Sequence, residues 1–197
     1  MNKLSIISGA LAALLSTSAI AADTTGYVLS AQSENYGISL GNGTASDFNE
    51  DADVLGINVN TLLDLKIELI DEEDENDYRL SVGKTFDMEF GPVGLSLTPE
   101  INYTSGDSYE DAEVRFAPVV TASLNLAGVS TYVEVGYDLV TVENALDDFY
   151  KSDGYYTLGV QVPVTDAVSV NAGYVQNVDA DWNETDEELN IAINLAF

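Results

Sequence analysis

Leu189-Asn190-Ile191-Ala192-Ile193-Asn194-Leu195-Ala196-Phe197 repeats with a period of two: Leu189, Ile191, Ile193, Leu195 and Phe197 share one face, while Asn190, Ala192 and Asn194 share the other. A helix would scatter both sets around its axis, so this is a strand with one wholly apolar side. Working back along the chain, the same alternation sets Val168, Val170, Ala172 and Tyr174 against Ser169, Asn171 and Gly173. It also sets Tyr156, Leu158, Val160 and Val162 against Thr157, Gly159 and Gln161. It returns from Val129 to Leu139, from Val114 to Leu126, from Leu95 to Tyr103, and from Tyr78 to Phe86, where Lys84 alone interrupts the apolar side. Near the edge of an apolar layer such an ammonium can snorkel out. Leu65, Ile67 and Leu69, then Leu55, Ile57 and Val59, then Tyr36, Ile38 and Leu40 complete the series. The stretch from Tyr27 to Gln32 is out of phase with Tyr36, which reads as a bulge near Ser33 and Glu34. No segment after Ala22 holds helical spacing for three turns, so the expected fold is all-β.

The face opposite the aliphatic one indicates the surroundings. In a soluble sandwich the outward face carries Lys, Glu and Arg freely. Here that face is mostly Ser, Thr, Asn, Gly and Gln. A closed sheet in lipid needs this arrangement, with aliphatic and aromatic side chains toward the acyl chains and small polar ones toward a lumen. The pattern argues against the alternative of a soluble secreted sandwich.

The connections alternate in kind. Short ones fall near Thr61 to Asp64, Gly91-Pro92, Ala127-Gly128 and Val164 to Asp166. Long ones fall near Gly41 to Asp53, Asp71 to Asp77, Thr104 to Ala112, Glu143 to Asp153 and Asp179 to Glu187, nearly all dense in Asp and Glu. If both termini lie on one side, the strand count is even, and this alternation gives a transmembrane antiparallel up-and-down β-barrel of ten strands, with eight or twelve as alternatives.

Composition narrows the function classes. Of 197 residues 34 are acidic and six basic, with no Cys and no His, for a net charge of −28. Residues 1–22 read as a cleaved signal peptide: Lys3, an apolar run from Leu4 to Leu15, and small residues ending Ala19-Ile20-Ala21-Ala22. The run is shorter than the roughly 20 residues a helical span needs. Residues 23–197 then form one barrel domain with net charge −29, since the leader carries Lys3 and no acid. So acidic a chain repels phosphate backbones, and nucleic acid is not expected as a partner. Without His or Cys the commonest general base and the best nucleophile are missing, so no enzymatic activity and no cofactor are expected. Asp179, Asp181 and Asn183 resemble the start of a calcium loop, but Glu184 stands where Gly is needed and Asn190 where Glu is needed, so no metal site is assigned. Carboxylate clusters such as Asp71 to Glu75 are expected to hold Mg²⁺ or Ca²⁺ only weakly, as charge compensation.

The leader, the alternating strands and the final strand ending in Phe197 together resemble the Gram-negative outer-membrane β-barrel proteins, in particular a small porin-like or OmpA-type barrel. The resemblance covers the mature chain as architecture and matches no single family residue by residue. It implies an integral protein of the outer membrane, surrounded by lipid and lipopolysaccharide, whose Phe197 is an assembly signal read by the barrel assembly machinery.

The inferred inward faces carry Lys66, Arg79 and Arg115 together with Glu68, Glu100, Glu134 and Asp138. Paired across a confined space, these charges either plug a lumen or line a constriction that sorts small ions or solutes by charge. Gly56, Gly83, Gly136, Gly159 and Gly173 on the same faces would leave some space. Two functions follow as expectations. One is a narrow, cation-preferring passive diffusion channel beneath acidic external loops. The other is a closed-lumen structural or surface-contact barrel, adhesin-like, whose acidic loops bind divalent cations, lipopolysaccharide or a partner.

Overall fold

Strands with one apolar and one polar face leave two rows of unpaired backbone groups, and a ring is the arrangement that pairs every row. The computed structural model describes residues 24–42, 52–72, 75–107, 112–142 and 150–197, and in these it contains strands and their connections with no helix. The expected signal peptide, 1–22, lies outside the described residues, as do the expected loop positions 43–51, 73–74, 108–111 and 143–149. The segments are β1 (Thr24–Gln32), β2 (Tyr36–Gly41), β3 (Ala52–Asn60), β4 (Asp64–Glu72), β5 (Glu75–Gly83), β6 (Phe86–Phe90) and β7 (Val93–Thr98). They continue with β8 (Glu100–Gly106), β9 (Glu113–Phe116), β10 (Val119–Leu126), β11 (Val129–Val142), β12 (Tyr150–Pro163), β13 (Val168–Val178) and β14 (Glu184–Ala196).

Three pairs of segments are single bent strands. Gly83 faces Glu100 and Phe86 faces Leu97 in one uninterrupted register, so β5–β6 and β8–β7 form one hairpin. Likewise Ile101 faces Phe116 and Thr98 faces Val119, and Phe116 faces Leu139 as Val119 faces Gly136. The breaks align across the wall at Lys84, Pro99, Pro118 and Tyr137, joined by Lys84 N–H to Pro99 O and Tyr137 N–H to Pro118 O, each 3.3 Å. Two prolines meet there without an N–H to give, which explains why the ladders loosen along this line.

The ring therefore has eleven strands, not ten. It closes where β14 pairs with β1, and that pair is parallel while the others are antiparallel. The additional strand comes from the phase break before Tyr36, which is a hairpin and not a bulge. Ser33 N–H donates to Tyr36 O at 2.8 Å, Gln32 faces Gly37, and the chain reverses through residues 33–35. A bulge and a tight turn both shift side-chain parity by one, so alternation alone does not separate them. With an odd count, Thr24 and Phe197 lie at opposite ends of the barrel. One end holds five short turns, and the other holds the acidic connections. These connections are shorter than expected, because strand pairing runs on into the acids: Asp71 faces Asn76 and Glu72 faces Glu75.

The two faces of the wall have opposite character. Outward residues such as Leu40, Ile57, Ile67, Leu69, Leu80 and Ile101 are exposed, Ile67 by 50%, while its neighbour Glu68 points inward at 3%. Every ring strand but β13 shows a large exposed apolar side chain, and the described residues include thirty-three of them. On β13, Ala172 instead joins Val129, Val160 and Val162 in a buried apolar cluster. Tyr27, Tyr78, Tyr103, Tyr137, Tyr156 and Tyr174 lie nearer the acidic end of their strands, and Tyr36, Phe86, Phe90 and Phe197 nearer the short-turn end.

The turn at Ala127-Gly128 yields a stability test. Both residues have positive φ, 54° and 85°, in a two-residue hairpin between Leu126 and Val129. Glycine takes that conformation freely, whereas alanine is strained there by about 1–2 kcal/mol. Ala127→Gly is expected to raise stability in urea unfolding by about 0.5–1 kcal/mol, and Gly128→Ala to lower it by about 1 kcal/mol.

Candidate functional site

Alternation turns the polar side chains of eight ring strands into one space. A cavity of about 480 Å³ is bordered by Lys66 and Glu68 from β4, Arg79 from β5, Glu100 from β8, Arg115 from β9, and Glu134 and Asp138 from β11. All seven charged residues singled out in the sequence thus border a single cavity. The structure adds Tyr155 and Asp186, which the sequence reading did not select. Both have the parity of inward residues, Thr157 and Glu188, and parity was the signal available for finding them. Asp186 was counted in a loop because the strand reading stopped where acids began.

The cations are matched to particular carboxylates. Glu68 sits directly opposite Arg79 in the β4–β5 ladder and takes Lys66 Nζ at 2.6 Å, with Arg79 Nη1 at 3.9 Å. Arg115 donates to Glu113 Oε2 from Nη2 at 2.8 Å and from Nε at 3.1 Å, and reaches Asp138 Oδ2 at 3.5 Å. Glu134 is held by neutral donors, accepting from Thr121 Oγ1 at 2.9 Å and Tyr155 Oη at 3.1 Å. Neither Glu100 nor Glu134 forms a salt bridge among the described residues. The cavity border carries five carboxylates against three cations, and three of those carboxylates, Glu100, Glu134 and Asp186, form no salt bridge among the described residues. Asn102, buried beside them, keeps Oδ1 without a donor and so adds another acceptor to this wall.

A second cavity, about 560 Å³, lies toward the short-turn end and is bordered by Asn58, Asp64, Lys84, Thr85 and Asp87 among others. Lys66, Thr98 and Glu100 border both cavities. Lys84 is turned back to the barrel end, donating to Thr61 O at 3.3 Å with Asp64 Oδ1 at 3.9 Å.

The expectation that inward glycines leave free space is corrected at three of them: Ser39 Oγ occupies the place of a Cβ on Gly56, and tyrosine rings do so at two others. Gly136 faces Tyr155 and Gly159 faces Tyr132 in the β11–β12 ladder, and each tyrosine ring occupies the place a glycine Cβ would take. Tyr132 Oη then reaches Asn171 Oδ1 at 3.0 Å. These rings narrow the interior on the β11–β12 side, where Tyr155 itself borders the cavity.

At the acidic end, the Asp179 loop closes on itself. Asp179 Oδ1 accepts from Asp181 N–H at 2.8 Å and Asn183 N–H at 2.9 Å, as in an Asx turn. Among the described residues no group of carboxylates is arranged to hold a metal ion. Phe197 is exposed at the short-turn end, where its N–H donates to Gln32 O at 3.1 Å.

Glu68 is the buried acid between two cations, and its removal leaves both without their partner. Glu68→Gln is expected to cost about 1–3 kcal/mol in urea unfolding, the lower part of the range for a broken buried pair because Lys66 is one-third exposed. Lys66→Met should cost less, since Arg79 still faces the carboxylate. Comparison with protein-family models, with curated proteins and with solved structures finds no match for this chain.

Proposed function

We propose that this protein is an integral β-barrel of a Gram-negative outer membrane and a narrow passive channel that prefers small cations. The observation that carries the reading is the inversion of the wall: exposed Leu, Ile, Tyr and Phe outside, and buried Glu68, Ser81 and Asn102 around a charged cavity inside. A soluble protein with large apolar side chains exposed on nearly every strand would aggregate, whereas a bilayer stabilises the outward face of those strands. The cation preference is supported by Glu100 and Glu134, which have no salt-bridge partner in the cavity. An oxygen-lined path with surplus negative charge lowers the barrier for a cation and raises it for an anion.

The membrane component is tested by Ile67→Arg. In lipid bilayers an outward arginine near mid-strand is expected to cost about 2–4 kcal/mol. An unchanged stability would mean that this face meets water, and would sink the reading.

The channel component is tested by single-channel recording of the refolded protein in planar bilayers. Discrete steps with cation selectivity are expected, with Glu100→Gln and Glu134→Gln each reducing the selectivity and Arg115→Gln increasing it. Tyr155→Ala should enlarge the steps by removing a ring from the lumen. A folded barrel that stays silent, even as Tyr155→Ala, would favour the closed-lumen reading, which the tyrosine filling at Gly136 and Gly159 supports. In that case the acidic connections would be the working surface, toward divalent ions, lipopolysaccharide or a partner.

A further inference from the structure

The bent strand β5–β6 outruns its neighbour. The ladder with β4 stops at that strand's first residue, Asp64, which faces Gly83, yet the bent strand continues to Phe90. β6 therefore pairs with β7 on one side and, among the described residues, with no strand on the other. Gly91 and Pro92 form a two-residue loop, which makes Phe90 and Val93 a hydrogen-bonded pair. Alternation then turns the backbone groups of Phe86, Met88 and Phe90 toward β7, and those of Asp87 and Glu89 toward the open side. Thr85 comes before them in that outward series, and its N–H is already taken by Asp64 Oδ2 at 3.2 Å.

This edge is unfavourable wherever it sits. In hydrocarbon, each unpaired backbone group costs several kcal/mol, and open sheet edges do not occur there. In water, Phe86, Met88 and Phe90, exposed beside Leu97, Leu124 and Leu126, make an apolar patch. An added strand covers the patch and satisfies the backbone at once.

We propose that β6 accepts a strand from a different protein, an extended segment in which basic residues alternate with apolar ones. The basic residues would lie beside Asp87 and Glu89, and the apolar ones beside Phe86, Met88 and Phe90. A second copy of this chain does not fit. Antiparallel pairing of β6 with itself sets Asp87 opposite Glu89 twice, and like charges directly opposite repel. No two of the six basic residues in the chain are two positions apart, so no other strand of it supplies the pattern either. The proposal rests on the sheet edge alone and stands whether or not the lumen conducts.

The test uses the refolded protein in detergent micelles and a fluorescent heptapeptide, Val-Lys-Val-Lys-Val-Lys-Val, followed by anisotropy. Its control is the same peptide N-methylated on alternate residues, with equal charge but no edge to pair. The plain peptide is expected to bind at least tenfold more tightly than the methylated one. Glu89→Pro removes an outward N–H while sparing the β6–β7 ladder, and should weaken binding several-fold with the circular dichroism unchanged. The double variant Asp87→Lys, Glu89→Lys should prefer the corresponding Val-Glu peptide. Absence of binding, equal binding of the methylated peptide, or a double variant that keeps its preference for the Lys peptide would overturn the proposal.

Discussion

The structure depends on one constraint, that backbone hydrogen bonding must close into a ring. Little else is available to hold the chain together: there are no cysteines, and among the described residues the buried apolar cluster is small, comprising Val129, Val160, Val162 and Ala172. The nine-residue parallel pairing of β1 with β14, from Thr24 facing Glu188 to Gln32 facing Ala196, closes the ring, beyond which only the overhanging β6 keeps an open edge among the described residues. Once the ring is closed, every strand has one face inside and one outside, and the period of two becomes a division of chemistry. The inward face is then largely polar, with buried Glu68, Ser81, Asn102, Thr104, Thr157 and Glu188 inside the wall. A polar interior is stable only when its members satisfy one another, which explains why the lysine and arginines are bound to acids and Glu134 to two hydroxyls.

Closure also sets how much space remains. An eleven-membered ring is wider than the eight-stranded case that side chains fill by themselves. Here two tyrosines lie over two glycines on the β11–β12 side, exchanging the space a glycine would leave for aromatic packing and a hydroxyl hydrogen bond. The charged border of the cavity comes mainly from β4, β5, β8, β9 and β11.

Much of this was legible in the sequence, for a definite reason. Alternation depends only on side-chain polarity along a strand, so the faces of Lys66, Glu68, Arg79, Glu100, Arg115, Glu134 and Asp138 followed directly, and one shared cavity followed from closure. What alternation does not encode is direction. A parity shift at Ser33 is equally a bulge or a reversal, and taking it as a bulge removed one strand and placed both ends of the chain on one side. Nor does it encode where pairing stops. Asp71, Glu72 and Asp186 look like loop residues by polarity, but acids pair in a ladder as well as other residues do once they lie beyond the apolar band. The ring packing at Gly136 and Gly159 was out of reach for a third reason, because cross-strand neighbours depend on register and the sequence shows residues only one strand at a time.

The acidic residues form two populations that act over different ranges. The five short turns contain two acids, Glu34 and Asp166, while the five connections at the other end contain thirteen. That asymmetry makes one mouth strongly negative, but in physiological salt a surface charge is felt over only about 8 Å. In the proposed channel, that mouth would concentrate cations locally and have little direct hold on an ion deep in the lumen. Glu100 and Glu134 are inside the wall, where the surroundings screen far less and the same Coulomb interaction is several-fold stronger. For the proposed channel, the connections would set how often a cation arrives, and these two carboxylates, more than the many outside, would decide whether it passes.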